Sequence, residues 1–277
     1  MVSFIDVLGF RDLLKTRSAA EVYGVVKKLE HFTKPEEDNP PRSIAEIRMQ
    51  SRAFAYALSD AIIRVRPYDT QYHDGAFFWE LYDLLHAQIA LINSGVLMRA
   101  GVAVGDGYVG LNGEGPIFGP AMVRAFEIES QEAIFPRVVI DEHAIEEHRT
   151  DPRLRGEHNT LDYELDVVAG FLRTGEDGTR FIDYLRACRT EFEELSSYFR
   201  FLKRHADLIR RGRARTEERR ILRKYDWLAR YHDGCTAELL MEAVSSTHLE
   251  NALYEEEGLR VDMKAYIEGL RVLSGRC

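Results

Sequence analysis

The chain opens on an apolar run that holds a single carboxylate. Residues 1–10 read Met-Val-Ser-Phe-Ile-Asp-Val-Leu-Gly-Phe, a short buried strand with Asp6 in its middle and a glycine that turns the chain into a helix. Over residues 11–32, Leu13, Leu14, Val22, Val25, Val26 and Leu29 recur at helical spacing. Residues 34–42 are polar and proline-rich, which predicts a loop. Two short apolar runs within residues 54–67 flank Ser59-Asp60, the pattern of a hairpin with Asp60 near its tip. A second amphipathic helix spans residues 74–93 on Phe77, Phe78, Leu81, Leu84, Leu85, Ile89 and Ile92, and Asn93-Ser94-Gly95 stops it. Residues 96–104 form an apolar strand entered through Arg99. Ile117-Phe118-Gly119-Pro120 opens a helix that runs to about Gln131, with proline in its first turn. Residues 137–141 read as a short buried strand, and residues 165–182 as a weaker strand–turn–strand turning at residues 175–178. From Tyr184 onward the pattern is mainly helical and rich in charge.

That order predicts an α+β fold, a mostly antiparallel sheet with helices on one face. The change of character divides the chain into a core, residues 1–185, and a C-terminal helical extension, residues 186–277. Neither an internal repeat nor a low-complexity tract interrupts it.

Composition narrows the function classes. Of 277 residues, 45% are hydrophobic and 30% charged, with a formal net charge of −9. An acidic chain argues against broad nucleic-acid binding, so no nucleic-acid partner is expected, and a small anionic substrate would need a local cation. Residues 200–224 hold eleven Lys or Arg; such a run can hold nucleic acid or a phosphate tail, but interleaved Leu202, Leu208, Ile209, Ile221 and Leu222 favour a solvated helix face. Cys188, Cys235 and Cys277 are odd in number and far apart, which points to a reducing compartment. No apolar run reaches about 18 residues and no signal-peptide order opens the chain, so a cytoplasmic protein with no membrane partner is expected.

Several chemistries lack their residues. No Walker-type phosphate loop and no nucleophile elbow is present. His143 and His148 flank Glu146 and Glu147, but a spacing of five does not stack two imidazoles on one helix face, and both read as surface histidines. Tyr231-His232-Asp233 reads as a structural polar cluster. Asp6 and Asp60 remain, each embedded in apolar strand sequence. A buried Asp must be compensated, by a cation, by a helix cap or by an arginine. Gly9 also lets backbone approach an anion, and free N–H groups at a helix start favour phosphate. Adjacent antiparallel strands would bring both carboxylates to one edge, where two divalent ions can neutralise them.

These residues resemble a known family. Phe4-Ile-Asp-Val-Leu-Gly-Phe10, Ser59-Asp60, Arg99-Ala-Gly-Val-Ala-Val-Gly105 and Phe118-Gly-Pro-Ala-Met-Val-Arg-Ala-Phe-Glu-Ile-Glu-Ser130 follow the order of class III nucleotidyl cyclase motifs. They resemble more closely the pyrimidine cyclases of bacterial Pycsar anti-phage systems. Phe135-Pro-Arg-Val-Val-Ile-Asp141, Phe181-Ile-Asp-Tyr184 and residues 224–232 extend the likeness over most of the chain.

The resemblance implies a ferredoxin-like βαββαβ core and a homodimer with sites built across its interface. It implies two Mn²⁺ or Mg²⁺ ions on Asp6 and Asp60, with the Val7 carbonyl as a further ligand, and a triphosphate cradle at Leu8, Gly9 and Phe10. The implied product is 3′,5′-cyclic UMP from UTP, acting on a separate effector protein. Alternatives are a cytidylate cyclase acting on CTP and a non-catalytic nucleotide-binding module. Tyr56 and Pro116 stand where purine cyclases carry a base-reading Lys and Asp. Val123 and Glu127 stand where they carry an Asn and the transition-state Arg. Arg124 and Arg99 are the candidates to replace that missing charge.

Overall fold

The computed structural model describes residues 1–31, 53–58, 61–71, 73–110, 116–245, 249 and 262–273. They belong to two compact units, Met1–Asp183 and Tyr184–Cys277. Among the described residues no helix is long and apolar enough to cross a membrane.

The first unit is α+β, built on a seven-stranded mixed sheet. Its strands are β1 (Val2–Leu8), β2 (Phe54–Leu58), β3 (Ala61–Val65), β4 (Leu97–Ala103), β5 (Val138–Ile140), β6 (Leu172–Thr174) and β7 (Arg180–Ile182). They lie in the order β2-β3-β1-β4-β5-β7-β6, and every neighbouring pair is antiparallel except β4 with β5. On β1, Phe4 stands opposite Ile63 and Gly101, and Asp6 opposite Ala61 and Arg99. Side chains alternate along a strand. Ser3, Ile5 and Val7 therefore share one face with Ile62, Arg64, Ala100 and Val102, while Phe4 and Asp6 share the other with Ile63, Arg99 and Gly101.

The first face is covered by α3 (Ala76–Asn93), against which α2 (Ala19–His31) packs. Phe77, Leu81, Leu84 and Leu85 of α3 are fully buried. Glu80 enters the same layer and accepts from Ser3 Oγ at 2.7 Å, Arg64 Nε at 2.9 Å and Arg66 Nε at 3.0 Å. Burial pushes the Glu80 carboxyl up, but Arg64 and Arg66 outweigh it and hold the group well below the usual carboxylate range.

The second face carries α4 (Pro120–Glu127) and a π-helical turn (Ile128–Glu132). Helices thus lie on both faces, where the sequence pattern put them on one. Gly101 is the physical reason. A Cβ there would stand 2.3 Å from the Ala125 carbonyl oxygen and 2.7 Å from Glu129 N, so only glycine lets this helix backbone settle on β4.

Three further expectations are corrected. The first long helix is two, α1 (Phe10–Thr16) and α2, broken by a capping box. In it Ser18 N donates to Glu21 Oε2 at 2.8 Å and Glu21 N to Ser18 Oγ at 3.3 Å. Residues expected as strand from Leu165 lie instead in helix α6 (Leu161–Phe171), whose Thr160 cap accepts from Tyr163 N. Between α4 and α6, helix α5 (Glu142–Thr150) leaves His143 exposed but buries His148 fully against the Phe77 ring, with Nε2 3.4 Å from Glu164 Oε2. His148 is no surface histidine, because a helix five residues on from His143 faces inward.

In the second unit, α7 (Tyr184–Ala187), α8 (Leu195–Arg215), α9 (Arg219–Ser245) and α10 (Met263–Leu270) surround Tyr198, Phe199, Phe201, Leu202, Ile209 and Leu228. The Tyr231-His232-Asp233 cluster ties its segments together. Tyr231 Oη accepts from Leu185 N at 3.0 Å, and Asp233 accepts from Val272 N at 2.7 Å and Leu273 N at 2.9 Å. His232 Nε2 lies 3.1 Å from the Leu270 carbonyl, which can only accept. With both imidazoles neutral, the form that burial favours, His232 Nδ1 accepts from His205 Nδ1 at 2.9 Å, and His205 Nε2 from the Tyr184 hydroxyl at 2.7 Å. This arrangement satisfies every atom of the chain of bonds.

Two outcomes follow. Gly101→Ala should lower stability by about 1–3 kcal/mol through overpacking, read as a fall in Tm; an unchanged Tm would contradict the close approach of α4. Burial lowers the His232 pKa to about 4 and that of His205 well below its ordinary value. An unfolded histidine protonates near 6.5, so below that pH the unfolded state binds more protons and stability drops as pH falls toward about 4. Denaturant midpoints should decline across that window, by up to about 1.4 kcal/mol per pH unit for each histidine, and His232→Gln should flatten the decline.

Candidate active site

The site is assembled where β1 gives way to α1. Asp6 is the last inward carboxylate of the strand, and Gly9 then takes the left-handed conformation, φ 74°, which starts α1 at Phe10. Asp12 N and Leu13 N donate to the Gly9 carbonyl at 2.9 and 3.1 Å. The N–H groups of Gly9, Phe10 and Arg11 precede those bonds and find no intrahelical acceptor, as at any helix start. Leu8 closes the ladder opposite Leu97.

Asp6 is partly exposed and is compensated by arginine. Arg99 Nε donates to Asp6 Oδ2 at 3.0 Å, and its Nη2 lies 2.7 Å from Glu129 Oε1. Glu129 stands on the π-helical turn and its side chain is 4% exposed, so Arg99 is the cation that permits that burial. Asp6 Oδ1 has no partner among the described residues. Of the three compensations open to Asp6, the structure brings an arginine to it.

Asp60 and Ser59 lie outside the described residues. The strands on either side of them are paired, with Leu58 opposite Ala61, and Ala61 is also the residue opposite Asp6. The position that follows Asp60 in sequence is thus Asp6's neighbour across the sheet. Val7 stands opposite Met98.

Tyr56 pairs with Ile63, which pairs with Phe4; Tyr56 therefore shares the face of Asp6, with β3 between their strands. Its hydroxyl is buried and has no hydrogen-bond partner among the described residues, and burial raises its pKa. Arg124 is held elsewhere. It grips Asp141 with Nε at 3.3 Å and Nη2 at 3.0 Å and reaches Glu132 with Nη1 at 2.7 Å. The hydrogen bonds it donates, to Asp141 first and Glu132 next, raise its pKa above the ordinary value. Val123 and Glu127 lie on the exposed side of α4, and Pro116 is exposed before it.

No protein-family model matches the chain. No curated protein matches it either. What the site can do therefore rests on its own geometry and on the motif likeness.

Asp6 offers one open oxygen, and among the described residues no group of three or more His, Cys, Asp or Glu gathers to hold a metal. The residue that sequence reasoning missed is Glu129. Its signal was Gly101 opposite Phe4 on the strand that carries Arg99, since a glycine inside a strand marks the close approach of another backbone.

Removing the guanidinium should expose this dependence. Arg99→Ala leaves Asp6 and Glu129 without their cation, a loss of about 3–5 kcal/mol for a broken buried pair. Its Tm should fall, and added Glu129→Gln should recover part of the fall. A single variant as stable as the parent would dismiss the bridge.

Proposed function

We propose that the chain is a metal-dependent pyrimidine nucleotide cyclase that converts UTP to 3′,5′-cyclic UMP and pyrophosphate. The observation that carries this reading is the register placing Asp6 opposite Ala61, the residue after Asp60. The strand order β2-β3-β1-β4 within a βαββαβ succession supports the ferredoxin-like core that the class III likeness implies.

Asp6 and Asp60 would hold two Mn²⁺ or Mg²⁺ ions, with the Val7 carbonyl as a further ligand. Such ions supply Lewis-acid stabilisation of the attacking and leaving oxygens. The backbone of Leu8, Gly9 and Phe10 receives the triphosphate, where the left-handed Gly9 and the unpaired helix-start N–H groups favour an anion. The ribose 3′-oxygen would attack the α-phosphorus as its proton passes to solvent, the bond from the α-phosphorus to the bridging oxygen would break, and pyrophosphate would leave with that oxygen. Arg99 stands one hydrogen bond from Asp6, so a guanidinium is at hand for the developing charge, with Arg124 as the second candidate. Tyr56 offers a flat face and an unused hydroxyl to a small ring.

A homodimer completes the proposal, its sites shared between subunits. Val123 and Phe126 are 53% and 48% exposed on one side of α4, and such apolar exposure on the site-bearing face of the sheet suits a second copy. The cyclic product would act on a separate effector protein in the cytoplasm.

Arg99 also favours a second reading. Because it compensates Asp6 without any metal, the chain can be a non-catalytic nucleotide-binding module. Incubation with all four NTPs and Mn²⁺, followed by mass spectrometry, separates the two. A cyclic nucleotide and pyrophosphate are expected, and Asp60→Ala should abolish both while leaving the fold intact; binding without pyrophosphate would establish the module instead. Turnover of UTP or CTP should exceed that of ATP or GTP by roughly five- to 150-fold, because a purine's polar edge left unpaired costs ~1–3 kcal/mol. A purine as best substrate would end the argument from Tyr56, and CTP over UTP would make the enzyme a cytidylate cyclase.

A further inference from the structure

The helix ends on either side of the turn between α8 and α9 carry an excess of positive charge. From Arg210 to Trp227 no residue is buried, and the stretch holds eight Arg or Lys against Glu217, Glu218 and Asp226. Arg213 is paired with Asp226 at 3.0 Å, and Arg210 donates to Asp207 and to the carbonyl of Arg271. Arg211, Arg215, Arg219, Arg220 and Arg223 are exposed and have no carboxylate partner among the described residues; Arg211 makes one bond, to the Asp207 carbonyl.

Helix stability does not explain this placement. Arginines in the last turn of α8 complement the negative end of its dipole, but Arg219, Arg220 and Arg223 lie in the first turns of α9, where a cation is disfavoured. The pairs Arg211/Arg215 and Arg219/Arg223 are also like charges four apart on one helix face, a destabilising arrangement. An anion resting on the turn relieves both penalties at once.

We propose that this arginine turn is a docking surface for the phosphate backbone of double-stranded DNA. Guanidinium groups bind phosphate in two-pronged fashion and outnumber lysines here seven to one. No large apolar side chain between Tyr163 and Met241 is exposed among the described residues, so the turn lacks the wedge that an interfacial membrane contact inserts. Single-stranded nucleic acid would need free aromatic platforms, and both aromatics here are engaged. Tyr225 packs where a Cβ on Gly212 would be 2.1 Å from its ring, and Trp227 stacks on Tyr231 at 5.4 Å. A helix fits the wide major groove of B-form DNA but not the narrow one of duplex RNA. The net charge of the whole chain hides this surface because all but three of its 46 Asp and Glu residues lie outside the stretch. The proposal stands whether or not the chain turns over a nucleotide.

Fluorescence anisotropy of the full chain with a short labelled DNA duplex tests it. Binding should weaken roughly 10²- to 10³-fold between about 50 and about 200 mM salt, as five phosphate contacts require. Arg219→Ala/Arg220→Ala/Arg223→Ala should reduce the log–log salt slope by about 3, with circular dichroism and Tm unchanged or improved. The matching Lys triple variant should keep most of the slope, since it keeps the charge. No binding at the lower salt, an unaltered slope in the alanine variant, tighter binding of duplex RNA, or capture of anionic vesicles in place of DNA would each overturn the assignment.

Discussion

Arg99 carries two obligations at once. It neutralises Asp6 at the end of the central strand and Glu129 on the turn that presses onto that strand. Remove the guanidinium and two carboxylates repel across one of the closest backbone approaches in the sheet. Asp6 can therefore sit in a mostly apolar strand while one of its oxygens has no partner among the described residues. The same ion pair fixes the height at which α4 and its π-helical turn sit over β4, and so fixes what lies beside any group held at Asp6.

That arrangement separates two kinds of electrostatics within the first unit. On the α3 face, Arg64, Arg66 and Glu80 are buried and pair with one another and with the partly exposed Asp83. On the α4 face the charges are partly exposed and incompletely matched. Buried networks of the first kind specify a packing, whereas open ones of the second kind leave room for chemistry. Arg124 lies between the two: it is one-third exposed or a little more, yet held by Asp141 and Glu132.

Much of the fold was legible because it depends on local pattern. Apolar runs around Asp6 and on either side of Ser59-Asp60, helical spacing over residues 74–93 and the proline at Pro120 each specify an element without distant help. What escaped the sequence depends on non-local contact. The π-helical turn exists because Gly101, twenty-odd residues earlier, admits the Ala125 and Glu129 backbone. His148 is buried because Glu164 and Phe77 meet it, and the Leu161–Phe171 helix overrides a strand-like run of apolar residues. The capping box at Ser18 and Glu21 is local, but the apolar spacing continues smoothly through it and masks the break. In the candidate site the carboxylates announced themselves as misfits in apolar surroundings, but Arg99's second partner did not.

The position of β1 in the sheet has a consequence for folding kinetics. Its neighbours are β3 and β4, so Val2 pairs with Val65 on one side and with Ala103 on the other, about a hundred residues away. Closing such distant contacts loses chain entropy before the contacts form, and topologies of this kind fold slowly. Until β4 arrives, one edge of an apolar strand stays unpaired, a template for joining another chain. Asp6 in the middle of that edge is a charge at a place where association would otherwise be easy, so the residue that marks the site also guards the strand while the sheet is incomplete.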